Sequence, residues 1–292
     1  MKLQKSNRSQ AKIRIAILGP SGSGKTYSSL LLAFGLCGNW NKIAIIDSEH
    51  QSASLYSHLG DYNVLCLDPP YNPERYIEAI RLCEAEGIEV IIIDSISHEW
   101  EGPGGIIDIH SSMAGNSFTN WSKLTPRHNS LVQKILNSTA HVIATVRSKQ
   151  DYVLTDKNGK QVPEKVGLKG IQRDGLEYDF SLVFEIDINH GATCSKDRTQ
   201  LFSSQKTPFV IDQGIGQKIK SWCENGSRIP SSGIFGIEEE INAIDSLENL
   251  HKLYREKGEG EKYLDLFTKR AEELRKPKPL FNPMNFGRNG SY

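Results

Sequence analysis

Residues 19–26 read Gly-Pro-Ser-Gly-Ser-Gly-Lys-Thr, a complete G-x-x-x-x-G-K-T pattern. A loop of this kind cradles the phosphates of a nucleoside triphosphate. Gly19, Pro20, Ser21, Gly22, Ser23 and Gly24 form a backbone that curls with its N–H groups facing the phosphates. Lys25 is expected to reach the β- and γ-phosphates, and Thr26 to offer its hydroxyl to Mg2+. The expected cofactors are ATP and Mg2+. Two acidic segments complete the candidate chemistry. The apolar run Val90–Ile93 ends in Asp94, a carboxylate suited to hold the metal beside Thr26. The run Ile43–Ile46 leads into Asp47, Ser48, Glu49 and His50. An acid there can orient and deprotonate an attacking water. Glu49 is the candidate base, and Asp47 is the rival carboxylate as a partner of the magnesium shell.

This chemistry needs strands that deliver their carboxyl ends to one crevice. The short, β-branched runs Ile13–Leu18, Ile43–Ile46, Val90–Ile93, His141–Val146 and Leu182–Ile186 suit parallel strands buried on both faces. Helical patterns at Thr26–Leu36, Glu74–Ala85 and Pro126–Asn137 separate several of them. The alternation predicts an α/β fold with a mainly parallel sheet flanked by helices. Residues Tyr152–Lys165 break the pattern: Asn158-Gly159 marks a polar hairpin or mobile loop inserted after the strand at 141–146.

Composition shifts suggest the organisation. Residues 1–12 form a basic extension with Lys2, Lys5, Arg8 and Lys12, and the core runs over 13–225. A Gly/Ser/Pro-rich linker follows at 226–236, then a small helical segment at 237–275. The proline-containing tail 276–292 is expected to lack fixed structure. Five cysteines with no metal-ligand spacing argue against a zinc site or disulfide framework and favour a cytoplasmic setting. No apolar run approaches the ~20 residues that span a bilayer.

Lys+Arg and Asp+Glu number 35 each, so bulk charge points to no polyanionic partner. The local balance does. Residues 123–173 hold ten Lys/Arg against three acids. They include Arg147, Lys149 and the hairpin cations Lys157, Lys160 and Lys165, which could neutralise phosphates without reading sequence. Upstream, the polar segment Ser111–Trp121 carries Phe118 and Trp121, aromatics suited to stack on unpaired bases. Single-stranded DNA is the expected partner.

Taken together, the strings IAIIDSEHQSASLY (43–56) and VIIIDS (90–95) resemble the strands after the phosphate loop in RecA-type recombinases. With HVIATVRSKQDYVL (141–154) and GLKGIQRDGLEYDF (167–180), the resemblance is closer to phage-encoded, core-only RecA-like ATPases grouped with single-strand-annealing and recombination proteins. It covers roughly residues 11–225. It implies a RecA-like P-loop NTPase core, to which the helical segment at 237–275 is a small C-terminal appendage, and a catalytic glutamate at Glu49. The recombinases' Asn-Gln pair is replaced by the neighbourhood of Thr145 and Arg147, where Thr145 is the candidate γ-phosphate sensor. By the same resemblance, Lys196 and Arg198 are candidate cations reaching a neighbouring subunit's γ-phosphate, with Arg173 as rival. A homo-oligomeric ring or filament follows. The expected function is a DNA-dependent ATPase in phage or mobile-element recombination. The alternatives are a ring-type translocase or helicase motor, and a non-catalytic, ATP-gated scaffold recruiting a single-strand-binding protein.

Overall fold

A computed structural model describes residues 11–157, 160–205, 207–224, 241, 244, 246–257 and 264–275; the side chains of 150–168, 256 and 257 lie outside that description. The described chain falls into two compact units, 1–227 and 228–292. The expected linker 226–236 and tail 276–292 lie outside the described residues, as do residues 1–10 of the basic extension.

Eight strands build the first unit: β1 (Arg14–Gly19), β2 (Ile43–Asp47), β3 (Asn63–Cys66), β4 (Val90–Asp94), β5 (His141–Lys157), β6 (Lys160–Gly170), β7 (Leu182–Ile186) and β8 (Ala192–Asp197). The sheet order is β3-β2-β4-β5-β1-β7-β8, with β6 paired to β5 alone. Among the described strands, the β5–β6 and β7–β8 pairs are antiparallel and the other pairs are parallel. The apolar runs make this sheet because alternate residues face opposite sides. Ile15, Ile17, Ile43, Ile45, Val90, Ile92 and Ile143 pack on one side, with α1 (Lys25–Cys37) and α6 (Gln213–Glu224) supplying Leu30, Leu32 and Ile219. Ala16, Ala44, Ile46, Ile91, Ile93 and Ala144 face the other side. There α2 (Pro73–Ala85) and α5 (Ser117–Leu136) bring Tyr76, Ile80, Leu131 and Ile135.

Helix α1 lies unusually close to α6. A Cβ on Gly35 would stand 2.2 Å from the Gln213 carbonyl oxygen, and one on Gly216 would stand 2.4 Å from that of Leu32. Glycine at both positions lets the two backbones touch.

Two expectations change here. Strand β5 does not stop near Val146; it leaves the parallel sheet and continues to Lys157 because β6 takes up its hydrogen-bonding edge. The hairpin is thus an extension of a central strand, not an insertion after it. Asn158 and Gly159 lie outside the described residues, and the strands flanking them register Lys157 opposite Lys160. Helix α5 begins at Ser117, nine residues before Pro126. The Asn116 side chain accepts from the backbone N–H groups of Phe118 and Thr119 and nucleates the turn. Pro126 sits inside the helix, so the Ser122 carbonyl forgoes its intrahelical bond. The preceding helices are α3 (Ser97–Glu101) and α4 (Ile106–Ser112). The segment 111–121 thus holds the end of α4, a non-helical break at 113–116 and the first turn of α5.

The second unit holds helices Leu247–Lys257 and Leu264–Arg275. Ile241, Leu250 and Phe267 form its buried cluster, with Tyr254 edge-on to Phe267 at 5.0 Å. Among the described residues no helix is long and apolar enough to cross a membrane.

Candidate nucleotide site

The parallel register brings the carboxyl ends of four strands to one edge. Asp47 stands opposite Asp94, and Gly19 stands opposite Arg147. In open α/β sheets this edge is where ligands bind.

The phosphate loop leaves β1 at Gly19, and its last glycine caps α1. Gly22 and Gly24 adopt φ of +79° and +89°, conformations that an L side chain resists. Gly19 meets a different limit: a Cβ there would lie 2.5 Å from Ser23 Oγ. Pro20 and Ser21 form the outer bend. Lys25 is buried and donates from Nζ to the Pro20 carbonyl at 2.8 Å. Burial lowers the Lys25 pKa, opposed by the nearby carboxylates of Asp94 and Glu49.

Thr26, at the first turn of α1, donates its hydroxyl to Asp94 Oδ2 at 2.6 Å. Thr145 on β5 donates to Asp94 Oδ1. Asp94 is 2% exposed, and burial raises its pKa against the two hydrogen bonds that favour the charged form. Thr145, the candidate γ-phosphate sensor, is fully buried, and its hydroxyl is engaged with Asp94.

The turn after β2 sorts its two acids. Asp47 accepts from the Glu49 backbone N–H at 2.6 Å and from that of Ala53 at 2.9 Å. Both oxygens therefore hold the turn together, which accounts for Asp47 without a metal role. Glu49 is left projecting from the turn. Arg147 Nε donates to Glu49 Oε1 at 2.7 Å, and Arg147 Nη2 donates to Glu49 Oε2. Burial pushes the Glu49 carboxyl up, but this fork and its charge outweigh it and hold the pKa below the ordinary value. Arg147, expected on a nucleic-acid surface, thus stands in the nucleotide site.

Residues that the sequence reading did not single out lock the strand ends. The Ser48 hydroxyl accepts from the Ser95 N–H at 3.0 Å and lies 2.8 Å from His98 Nδ1. His98 stacks on Tyr71 with ring centroids 5.0 Å apart. Burial lowers the His98 pKa, with Glu49 acting in the opposite sense. Deeper in, Gln172 Nε2 donates to the Ile96 carbonyl at 3.0 Å and to Glu99 Oε2 at 3.1 Å. His128 Nδ1 lies 3.0 Å from Glu99 Oε1. The chain returning from the hairpin is thereby tied to the turn that follows Asp94.

The remaining candidates lie apart. Lys196, on β8, donates to the Glu177 carbonyl at 3.2 Å and also to that of Tyr178. Arg198 Nη2 donates to the same Tyr178 carbonyl at 3.0 Å. The two cations do point the same way, and both hold a loop of their own chain. Trp121 stacks with His110 at 4.3 Å and with Trp100 at 5.8 Å, joining α5 to α4 and α3. Phe118 is 87% exposed. Lys149 lies at the hairpin root, whereas the side chains of Lys157, Lys160 and Lys165 lie outside the described residues.

The residues fit a triphosphate and its metal. Among the described residues Ser23 Oγ is buried with no hydrogen-bond partner, inside the loop that would face phosphate oxygens. The all-oxygen pair of Thr26 and Asp94 suits a hard cation such as Mg2+. A sheet with this strand order, a glycine loop at the end of β1 and an acid at the end of β4 defines a nucleotide-binding P-loop ATPase. Residues 11–209, well over half of the chain, match the family model described as an AAA domain, and the chain belongs to that family. No curated protein matches it.

Proposed function

We propose that the protein is a Mg2+-dependent ATPase that works on single-stranded DNA in phage or mobile-element recombination. The observation that carries the chemistry is the juxtaposition of a Thr26–Asp94 pair with a negatively charged Glu49 on the neighbouring strand end. Gly22, Gly24 and Lys25 hold the phosphates, and Thr26 and Asp94 hold the metal. A bound Mg2+ supplies charge neutralisation on the phosphate oxygens. Glu49 takes the proton of the attacking water, a role worth ~10²–10⁴ in rate. Lys196 and Arg198 serve a neighbouring subunit in a homo-oligomer. The DNA assignment draws on the cations at the hairpin and on exposed Phe118.

The deciding experiment measures ATP hydrolysis alone, with single-stranded DNA and with duplex DNA, for the parent protein and Glu49→Gln. Stimulation by the single strand, and a Glu49→Gln rate at least ~100-fold lower, are expected. Hydrolysis indifferent to DNA would remove the DNA assignment. A fully active Glu49→Gln would remove the base.

A further inference from the structure

The end of β7 and the turn behind it touch the phosphate loop at both of its ends. A Cβ on Gly19 would stand 2.7 Å from the Ile186 carbonyl oxygen, so the last residue of the strand presses on the first glycine of the loop. Four residues on, His190 reaches the last one. Its Nδ1 lies 2.9 Å from the Ser23 carbonyl oxygen, and a Cβ on Gly24 would stand 3.2 Å from the same nitrogen. A carbonyl only accepts, so Nδ1 carries the proton and donates.

The turn that delivers this ring is short and held by Asp187. Its carboxylate accepts from the backbone N–H groups of Asn189 and Gly191, at 2.8 Å and 2.9 Å. Its carbonyl accepts from the His190 N–H at 3.1 Å, and its N–H donates to the Gly191 carbonyl at 2.9 Å. Within this turn His190 takes a φ of +66°, which costs a residue with a side chain about 1–2 kcal/mol. His190 is exposed, so core packing does not offset that strain. Among the described residues its ring makes one hydrogen bond, the one to Ser23.

That bond acts on the loop through a single peptide unit. The unit is planar, with the Ser23 carbonyl and the Gly24 N–H pointing opposite ways. Holding the carbonyl from behind fixes the direction of the N–H, and in a loop of this type the N–H groups face the phosphates. Donation to the carbonyl also polarises the peptide and strengthens its N–H as a donor. Gly22 and Gly24 leave the loop free to take other shapes, and a clasp made before the nucleotide arrives lowers the ordering cost of binding.

We propose that His190 is a positioning residue that presets the phosphate loop, turning the Gly24 N–H toward the bound phosphates. The inference rests on the reading of residues 19–26 as a triphosphate site and adds the side chain that shapes it. Among the described residues the ring makes no hydrogen bond to Thr26, Asp94 or Glu49, so it serves binding and not bond cleavage.

The test measures the affinity for ADP and for inorganic pyrophosphate with Mg2+ by calorimetry, together with steady-state ATP hydrolysis. It compares the parent with His190→Ala, His190→Gly and His190→Asn. The first two should weaken ADP and pyrophosphate alike by about 3- to 10-fold, the scale of one hydrogen bond. KM for ATP should rise by the same factor at unchanged kcat, because the lost contact serves ground and transition states equally. Glycine relieves the strained turn, so His190→Gly should resist urea at least as well as the parent, and its weaker binding then reports the missing donor. His190→Asn keeps a donor in a residue that accepts positive φ, and should recover most of the affinity. Parental pyrophosphate affinity in His190→Ala and His190→Gly would overturn the proposal, as would a lower kcat at unchanged KM. Weaker ADP beside parental pyrophosphate would place the ring at the base or sugar and overturn it as well. An Asn variant no tighter than His190→Gly would assign the effect to ring packing, against the proposal. A parent that binds neither ADP nor pyrophosphate defeats the triphosphate site itself; a parent that binds both beside unaltered variants defeats only the present inference.

Discussion

Thr26 Oγ1 and Asp94 Oδ2 meet at 2.6 Å, joining the first turn of α1 to the end of β4. This hydroxyl and carboxylate would hold the metal, beside the loop in which Lys25 would hold a phosphate. Lys25→Ala removes a charged donor from that phosphate and no core packing. It should weaken nucleotide binding by about 10- to 100-fold, the range for a hydrogen bond to a charged group. Titration with a fluorescent ATP analogue, alongside circular dichroism to establish folding, measures this. Unchanged affinity in the folded variant would contradict the phosphate-loop assignment.

Gly35→Ala should destabilise the protein by about 1–3 kcal/mol, because its new methyl would press into the α6 backbone. Gly38→Ala is the control. Its φ is +73°, but nothing lies within 4 Å of the added carbon, so only the left-handed strain of about 1 kcal/mol remains. Urea unfolding of the two variants should rank Gly35→Ala as the worse; the reverse order would mean the helices part easily.

His141 should make the fold sensitive to mild acid. Its Nδ1 accepts from the Ile13 N–H at 3.1 Å, which requires the neutral ring, and burial pushes its pKa down to about 3. In the unfolded chain the ring titrates near ~6.5. Between those values the unfolded state binds the extra proton, so stability falls as pH drops, by up to ~1.4 kcal/mol per unit. His141→Gln keeps an acceptor and abolishes the titration. Its stability should vary less between pH 7 and pH 5 than the parent's. An equal slope in both would mean that other groups dominate.

Arg198 offers a test of shared active sites. Arg198→Ala and Lys25→Ala should each hydrolyse ATP poorly, and their mixture should regain part of the activity if subunits exchange. Some interfaces then pair an intact phosphate loop with an intact Arg198. Fluorescence energy transfer between labelled subunits reports the exchange. Exchange without recovery would turn attention to Arg173.

The phosphate loop was legible because eight consecutive residues carry its chemistry, and the buried strands because β-branched runs admit few other readings. Strand β3 escaped notice for the converse reason. It lies at the sheet edge with largely exposed side chains, so no apolar run marks it. The start of α5 was misplaced because Pro126 resembles a first-turn residue, whereas Asn116 is the cap that sets it. The Glu49–Arg147 fork joins positions 98 residues apart. No local spacing announces such a pair. Only the register of β1, β2, β4 and β5 brings it about, and for that reason Arg147 read as one more surface cation.

The close approach of α6 to α1 also sets where the chain can be cut. The matched family stretch ends at residue 209, before α6 begins at Gln213. Yet Ile219 and Cys223 of α6 cover the side of the sheet on which α1 lies, the helix that presents Lys25 and Thr26. A fragment trimmed to the homologous boundary would leave Leu32, Leu36 and their neighbours facing water. A fragment carried through Glu224 keeps that cover, which the family signature alone does not include.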